Sequence, residues 1–376
     1  MKVFINGRFL SQKVTGVQRY AFETLLALDA LLARGEGPRC EFTLLSPPGV
    51  NAPELRAVRF RAVGAFAGQA WEQLVLPVAA RGGWLWSFGA TGPLSVRRQT
   101  VTIHDAAVYA MPSAFSREFR AWYKLALPLL ARRAPLTMTV SEFSRAELGR
   151  HLGLDVARLR VTGEGWEHVR RIDADVGVLD RNGLRSKRYV LAVSSLTPQK
   201  NFQLVVDALP WLRGAGFDVA IAGRLEPRVF GDFDVGSLGS IKRLGYVGDA
   251  ELRALYEHAG VFVYPSLYEG FGIPPLEAMA LDCPVLASTA ASIPEVCGDA
   301  ARYFEPDDAP ALARLIRDVM TNEVERQALV VRGRRRLLAH GWEAAARCHL
   351  AALSELSLAE RNAHVGAPTL AAAAKT

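Results

Sequence analysis

The chain contains 376 residues, which exceeds one ordinary hydrophobic core and therefore predicts two domains. Half of the residues are hydrophobic and 22% are charged, as in soluble globular proteins. Apolar runs such as residues 125–130 are far too short to span a bilayer, and residues 1–6 lack the long apolar core of a signal peptide. Length and composition thus argue against a membrane-spanning chain.

The net charge of +7 lies entirely in residues 1–180, because the remainder holds equal numbers of acidic and basic side chains. This asymmetry favours an anionic partner on the first half, with a solvated basic surface as the alternative. Four cysteines show neither a C-x-x-C pair nor metal-ligand spacing: Cys40, Cys283, Cys297 and Cys348. We interpret them as reduced structural thiols of a cytosolic protein.

Strand-like and helix-like segments alternate through the first half of the chain. Strands are predicted at residues 3–6, 41–46, 85–88, 101–104 and 137–140. Helices are predicted at residues 17–33, 71–80 and 113–133, the last with a break at Pro128. Ser141 follows a predicted strand and is expected to cap the next helix. This alternation predicts a parallel sheet flanked by helices.

Polar, glycine-rich residues 163–188 interrupt the alternation and are expected to link two domains. The pattern then restarts, with strands at residues 189–193, 217–222 and 261–264. Helices are predicted at residues 200–213, 249–258, 308–340 and 342–356, and a glycine-containing loop at residues 225–240. The alanine-rich residues from about 359 are expected to be disordered or frayed.

One stretch, residues 261–280, combines an apolar strand, a loop with Gly270 and Gly272, and a helix that opens with two prolines. Ligands bind at such junctions in open α/β sheets, and glycines and a helix N-terminus favour a phosphate. Glu269 precedes the glycines, and Glu277 is expected in the first helical turn. An acid in that turn is equally explained by the helix dipole.

This stretch, together with residues 283–288 and 292–301, resembles the E-x7-E signature of retaining, nucleotide-sugar-dependent glycosyltransferases of family four. The resemblance implies the GT-B fold, in which two Rossmann-like α/β domains face a cleft. Residues 1–165 would then bind the acceptor, residues 166–188 would be the linker, and residues 189–341 would bind the nucleotide sugar. Residues 342–357 would form a helix that crosses back to the N-terminal domain, and residues 358–376 a disordered tail.

The resemblance also implies roles for individual residues. His104, Lys200 and Glu269 would be catalytic, with His104 over the donor sugar and Lys200 on the diphosphate. The donor site as a whole would comprise Gly16, Ser195, Lys200, Tyr246, Val247, Glu269, Gly270, Phe271, Gly272, Ile273 and Glu277. Glu277 would accept from ribose hydroxyls, and Tyr246 and Val247 would lie near the base. Ser195 replaces an arginine common in the family, which leaves Lys200 as the main cation of its turn.

Structural roles compete with several of these interpretations. A lone histidine such as His104 is usually structural, and Gly16 would also suit a routine turn. Two Asp-x-Asp pairs, at residues 173–175 and 232–234, are interpreted as solvated acids rather than metal ligands. No G-x-G-x-x-G follows the first strand, which weakens a dehydrogenase interpretation. We therefore expect neither a metal nor a cofactor.

By this resemblance, the chain would transfer a hexose from a nucleotide sugar to a glycolipid or polysaccharide in cell-surface glycan biosynthesis. GDP-mannose is the first expected donor and a deoxysugar nucleotide such as a rhamnose donor the second, with no nucleic-acid partner. The alternatives are an epimerase or phosphorylase of the same fold, or a catalytically inactive GT-B scaffold.

A membrane surface is a further expected partner. Residues 113–127 place Arg117, Arg120 and Lys124 on one helical face among Phe115, Phe119, Trp122 and Tyr123. Basic and aromatic side chains together suit an anionic membrane surface. A core helix with a solvated basic edge is the alternative. A cytoplasmic enzyme, peripheral at the inner face of the cytoplasmic membrane, is the resulting expectation.

Overall fold

The computed structural model describes residues 1–193, 197–223 and 241–365. In the first half, the strands are β1 (Lys2–Asn6), β2 (Glu41–Ser46), β3 (Arg59–Ala62), β4 (Trp84–Ser87), β5 (Gln99–Thr102), β6 (Leu136–Thr139) and β7 (Leu159–Val161). The helices are α1 (Gly16–Ala33), α2 (Gly68–Ala70, continued by a π-helical turn at Trp71–Val75 and by Leu76–Ala79), α3 (Ala107–Ala110), α4 (Arg117–Arg133) and α5 (Glu142–Leu152).

In the second half, the strands are β8 (Tyr189–Val193), β9 (Asp218–Ala222), β10 (Ile241–Gly245), β11 (Val261–Tyr264), β12 (Val285–Ser288) and β13 (Ala301–Phe304). The helices are α6 (Gly177–Arg181), α7 (Phe202–Leu212), α8 (Asp249–His258), α9 (Ile273–Ala280), α10 (Ile293–Cys297), α11 (Ala309–Thr321), α12 (Glu323–Leu337) and α13 (Trp342–Val365). Among the residues described, no helix has the length and apolar character needed to cross a membrane.

Two parallel sheets form the molecule, as expected for two Rossmann-like domains. Their strand orders are β3-β2-β1-β4-β5-β6-β7 and β10-β9-β8-β11-β12-β13. Each order reverses direction once, between β1 and β4 in the first sheet and between β8 and β11 in the second. Ligands of open α/β sheets bind at the carboxyl ends of strands at such reversals. The topology therefore points to the loops after β1, β4, β8 and β11.

The strands that the sequence analysis did not predict are β12 and the edge strands β3, β7, β10 and β13. An edge strand is covered on fewer sides, so its sequence needs no apolar run. β3, for example, reads Arg-Phe-Arg-Ala and is mostly exposed. The central strands β1, β8 and β11 are nearly or fully buried and show the apolar pattern that predicted them.

The expected break at Pro128 is wrong, because α4 continues through it. Proline removes the N–H that would bond the carbonyl four residues earlier, which belongs to Lys124. That carbonyl instead accepts a hydrogen bond from the Tyr109 hydroxyl at 3.4 Å. The helix also begins later than expected, at Arg117, because the Ser116 side chain caps it by accepting from the Phe119 N–H.

Two other expected helices differ from the structure. Residues 308–340 form two helices, because the Asn322 side chain accepts from the Glu325 N–H and so starts α12. The last helix extends to Val365, eight residues beyond the expected end at residue 357, and residues 366–376 lie outside the described part. This helix packs on the first domain, where His349 meets the Tyr20 hydroxyl at 2.8 Å and Glu355 pairs with Arg160.

Candidate active site

A cavity of about 710 Å³ lies between the two sheets, at the carboxyl ends of β1, β4, β5 and β11. Its walls come from the loops that follow these strands, as the two points of strand reversal predict. Of the expected site residues, the described lining includes Gly16, His104, Lys200 and the run Glu269–Ile273. The structure thus brings together, from both halves of the chain, most of the residues that the resemblance singled out.

The glycine loop after β11 holds the two domains in close contact. Gly272 has a φ of +104°, a conformation that favours glycine. A side chain at Gly270 would lie 2.9 Å from the carbonyl oxygen of His104, so only glycine allows this approach. The Gly270 carbonyl accepts from the Ser141 hydroxyl at 2.5 Å and from the Ser144 hydroxyl at 2.9 Å. Glycine is therefore needed here for domain contact as well as for ligand approach.

Lys200 and Glu269 form an ion pair at the cavity wall, with 2.6 Å between Nζ and Oε1. Both side chains are mostly buried, and the Lys200 ammonium also lies 5.8 Å from the centre of the Tyr264 ring. The N-terminus of α9, which begins at Ile273, opens onto the same cavity. A cation and a helix N-terminus on one wall are suited to a phosphate group.

His104 is buried and both of its ring nitrogens face protein groups. Nε2 lies 3.0 Å from the Phe88 carbonyl, which can only accept, so Nε2 carries a proton. Nδ1 lies 3.5 Å from the Glu164 carboxyl group. Burial raises the pKa of Glu164. The Glu164 carboxyl group is therefore buried beside the His104 ring at one end of the cavity.

Glu164 was missed by the sequence analysis, which assigned its two flanking glycines to the linker. The sequence feature that could have identified Glu164 is its position between two glycines just after β7. Asp105 is a second buried acid of the lining, and burial raises its pKa, while the hydrogen bond from the Ala107 N–H opposes that rise. Two protonatable acids and a histidine thus surround one end of the cavity.

Glu277 lies in the second turn of α9, so its expected place in the first turn is wrong. Its Oε1 accepts from His168 Nε2 at 2.8 Å, and its Oε2 accepts from the Tyr256 hydroxyl at 3.4 Å. His168 Nδ1 accepts from the Trp342 indole N–H at 3.1 Å, which leaves the His168 proton on Nε2. Glu277 is not part of the cavity lining formed by the described residues. Its role at the ribose stays a prediction.

Of the other expected donor residues, Tyr246 and Val247 are not in the described lining of this cavity, Ser195 is not described, and Gly16 lines the cavity. Tyr246 is 72% exposed, and the Lys13 ammonium lies 5.2 Å from the centre of its ring. Val247 packs against the hydrophobic core. Ser195 falls outside the described residues. Gly16 begins α1 and faces open space, so no packing contact requires glycine there.

A carboxylate of the second domain binds the N-terminus of a helix in the first. Glu295 accepts from the Glu142 N–H at 2.8 Å and from the Phe143 N–H at 2.9 Å, both free N–H groups of α5. Ser141 caps the same helix, as the sequence predicted. Together with the Ser141 and Ser144 contacts to the glycine loop, Glu295 joins the two domains beside the cleft.

The structure describes only the first of the two Asp-x-Asp pairs. Asp175 pairs with Arg181 at 2.8 Å, and residues 232–234 lie outside the described part. Within the described ranges, no group of three or more His, Cys, Asp or Glu side chains is placed to hold a metal ion.

The aromatic side chains at the start of α4 and just before it are not arranged as the membrane interpretation assumed. Phe115, which precedes the helix, and Phe119 and Tyr123 on it line the cleft cavity. At about 100° per residue, Phe119 lies on the side of the helix opposite Arg117. Trp122 is half-buried against the core of the first domain. The expectation that these aromatic residues flank the basic face is therefore wrong.

Two parallel-sheet domains thus face a cleft whose wall carries Lys200, a glycine loop and the N-terminus of α9. Residues 180–336 match the family "Glycosyl transferases group 1". The chain is 31% identical over 264 residues to the O-antigen chain mannosyltransferase B of Escherichia coli, covering 67% of this chain and 68% of the relative. The chain belongs to this glycosyltransferase family and is a hexosyltransferase.

Two further similarities support this assignment. The O-antigen chain mannosyltransferase RfbU of Salmonella typhimurium is 27% identical over 231 residues, which cover 60% of this chain and 61% of the relative. The sucrose-phosphate synthase (tll1590) of Thermosynechococcus elongatus has a similar structure, with a TM-score of 0.73 over 95% of this chain and 99% of that one. Its sequence is only 17% identical, so this likeness concerns the fold, which is GT-B.

Proposed function

We propose that the protein transfers mannose from GDP-mannose to a glycan acceptor in the synthesis of a cell-surface polysaccharide or glycolipid. The observation that supports this most directly is the Lys200–Glu269 ion pair beside the glycine loop, in a chain whose relatives are named O-antigen mannosyltransferases. A deoxysugar nucleotide is the second candidate donor. An epimerase, a phosphorylase and an inactive scaffold are not favoured by these relatives.

In this proposal the bond between the sugar C1 and the phosphate oxygen breaks, and the diphosphate leaves with the electron pair. Lys200 and the N-terminus of α9 stabilise the negative charge that develops on it. The oxygen of an acceptor hydroxyl forms the new bond to C1, and its proton passes to an oxygen of the leaving diphosphate. Glu269 accepts hydrogen bonds from hydroxyls of the donor sugar. Glu277 gives up its hydrogen bond from His168 or Tyr256 and accepts one from a ribose hydroxyl instead.

We expect this reaction to need neither a metal nor a cofactor, since Lys200 supplies the charge that a metal would otherwise supply. The test incubates the enzyme with GDP-mannose, a UDP-hexose and a rhamnose donor, each with a membrane lipid extract and excess chelator. Label transferred from GDP-mannose alone would support the proposal. Activity restored only by magnesium or manganese would contradict the metal-free mechanism, and release of free sugar phosphate would favour a phosphorylase.

We also propose a peripheral location at the inner face of the cytoplasmic membrane. The outer face of α4 exposes Arg117, Lys124 and Leu125, and the positive net charge lies in this half of the chain. Cations near an anionic membrane each contribute about 1 kcal/mol. Binding to anionic vesicles should weaken with salt and with the Arg117, Arg120 and Lys124→Glu triple variant.

A matched triple variant controls for the loss of net charge. In the second domain, Arg213 is exposed just after the end of α7, and Arg314 and Arg317 are exposed on α11. Changing these three residues to Glu alters the net charge by the same amount as the α4 triple variant does. Co-sedimentation that falls in both triple variants to the same extent would show that net charge alone decides binding. Co-sedimentation that survives the α4 substitutions would remove this helix from the membrane contact.

A further inference from the structure

A histidine of the interdomain linker contacts the acid that the proposed function assigns to the ribose. His168 lies in a short 3-10 turn, Glu167–Arg171, and its side chain is only 3% exposed. Its Nε2 donates to Glu277 Oε1 at 2.8 Å. The Glu277 side chain is 14% exposed, so part of its carboxylate is open to a ligand. The linker thus contributes a hydrogen-bond donor to Glu277.

The crossover helix α13 directs the proton of this histidine toward Glu277. His168 Nδ1 accepts from the Trp342 indole N–H at 3.1 Å, and an indole N–H can only donate. A proton on Nδ1 would face that N–H, and the Glu277 carboxylate would then face a ring nitrogen without a proton. His168 is therefore held from both sides in the tautomer that donates to Glu277.

Trp342 is itself held by the residues just before His168. The Glu167 carboxylate accepts from the Trp342 backbone N–H at 3.2 Å. A side chain at Gly165 would begin 2.6 Å from Cγ of the Trp342 ring, so only glycine allows this approach. The two chain segments that cross between the domains therefore contact each other, which gives the indole N–H a fixed position.

The linker also binds the end of α9, the helix that carries Glu277. Arg170 Nε and Nη2 donate to the Ala280 carbonyl, at the last residue of α9, at 3.1 and 2.9 Å. Carbonyls at a helix C-terminus lack partners within the helix, and a cation suits them. His168 and Arg170 thus anchor the linker to one helix at two points, which fixes the imidazole relative to Glu277.

We propose that His168 is a positioning residue for nucleotide binding, which holds the Glu277 carboxylate in the orientation that accepts from the ribose hydroxyls. A mobile glutamate side chain loses rotamer entropy when a ligand binds, whereas one already held loses little. Oε1 keeps its bond from His168. Oε2, whose bond from Tyr256 is longer at 3.4 Å, accepts from the ribose. This role rests on the proposed function, and it makes the linker part of the nucleotide site.

The test compares the affinities for GDP and 2′,3′-dideoxy-GDP by calorimetry, because their ratio reports on the ribose hydroxyls alone. The wild type should bind GDP about tenfold more tightly, as expected for hydrogen bonds to a charged group, and Glu277→Ala should lose this preference. His168→Asn can still accept from Trp342 but is too short to donate to Glu277, so the ratio should fall about fivefold. His168→Gln is one methylene longer, can donate to Glu277, and should retain most of the preference.

His349→Phe is the matched control for the loss of a buried imidazole. His349 also lies on α13 or next to its contacts, but it meets Tyr20 of the first domain. The ratio of the two affinities should therefore equal that of the wild type.

A second measurement uses the wild type and does not depend on whether a variant folds. In protein labelled with ¹⁵N-histidine, His168 should carry its proton on Nε2, with the resonances assigned by their loss in His168→Gln. The Nε2 shift should change more with GDP than with dideoxy-GDP, because only GDP has the ribose hydroxyls that bind the shared carboxylate. A proton on Nδ1, or equal changes with both ligands, would contradict the positioning role.

The outcomes separate this role from the proposed function. An unchanged ratio in His168→Asn, with the preference lost in Glu277→Ala, would overturn the role of His168 and leave that of Glu277. Equal affinities of the wild type for both ligands would overturn both. Binding of UDP or dTDP instead of GDP would overturn the GDP-mannose proposal, and the same ratio, measured with the dideoxy form of that nucleotide, would then decide the role of His168.

Discussion

At the scale of single residues, the cleft is organised by charges that are balanced before any donor is bound. Lys200 is paired with Glu269, and Arg8 is paired with Glu72. A diphosphate would compete with Glu269 for the lysine, because both are anionic. Substitution of Lys200 and substitution of Glu269 are therefore expected to change the affinity for GDP in opposite directions.

Replacing Lys200 with methionine should weaken GDP binding by roughly 1.5–3 kcal/mol, since a hydrogen bond to a charged group is lost and Glu269 is left beside the phosphates. Glu269→Gln should bind GDP as well as the wild type or better, because a negative charge is removed, while sugar transfer falls. Calorimetry with GDP measures both affinities. Lys242→Met, on the edge strand β10, is the control. A similar loss of GDP affinity in Lys200→Met and Glu269→Gln would contradict the ion-pair account.

At the scale of elements, two short segments decide how the domains meet. The glycine loop before α9 contacts the start of α5 through Ser141 and Ser144, and Glu295 at the start of α10 binds the free N–H groups of the same helix. The helix dipole of α5 favours this carboxylate. Closure of the cleft thus depends on capping interactions that are made between domains rather than within one helix.

Removing this contact with Glu295→Ala should favour an open cleft. We expect the KM for the donor to rise and kcat to fall, with kcat/KM reduced about tenfold, because an N-terminal cap contributes about 1 kcal/mol or more. Steady-state kinetics and the radius of gyration from small-angle scattering measure the two effects. Glu295→Gln should retain part of the activity, because its amide oxygen still accepts. Unaltered kinetics and an unaltered radius in Glu295→Ala would show that closure does not depend on this carboxylate.

At the scale of the whole molecule, two histidines on or next to α13 have pKa values that burial lowers. Burial lowers the pKa of His349, which meets Tyr20 of α1, to about 3. Burial also lowers the pKa of His340, which precedes α13, to about 4, and the nearby Arg336 adds to the effect. His349 lies between α13 and the first domain, whereas His340 contacts the Val296 carbonyl and the Phe271 ring of the second domain.

Acid should therefore destabilise the assembled molecule. Below the ordinary histidine pKa of about 6.5, the unfolded chain binds protons that the folded chain excludes, so stability is complete above that pH and is lost as the pH falls toward the folded values. Between pH 7 and pH 5 the free energy of unfolding should fall by about 2 kcal/mol for each histidine. Urea unfolding of the wild type and His349→Gln measures this fall.

The fall should be smaller in His349→Gln, whose side-chain oxygen can still accept from Tyr20. His151→Gln, on α5, is the control and should titrate like the wild type. An equal loss of stability in the wild type and His349→Gln would exclude His349 as a source of the acid sensitivity and leave it to His340 and carboxylates.

The sequence by itself determined most interior strands, the main helices and the glycine loop, although the buried strand β12 was missed. Buried parallel strands need continuous apolar runs, and β8 and β11 occur at the residues predicted for them. The loop before α9 could be predicted because glycine and proline have strong local effects on backbone conformation. Lys200, Glu269 and His104 were singled out by the family resemblance, and they line one cavity.

Only the tertiary structure decided which distant side chains share a site. Glu164 meets His104, and Glu277 meets His168, through folding of segments that are far apart in the chain. The aromatic face of α4 was assigned to a membrane because helical periodicity shows which residues share a face and not what that face contacts. Edge strands also escaped prediction, because their stability comes from one neighbouring strand and their exposed side chains carry no apolar pattern.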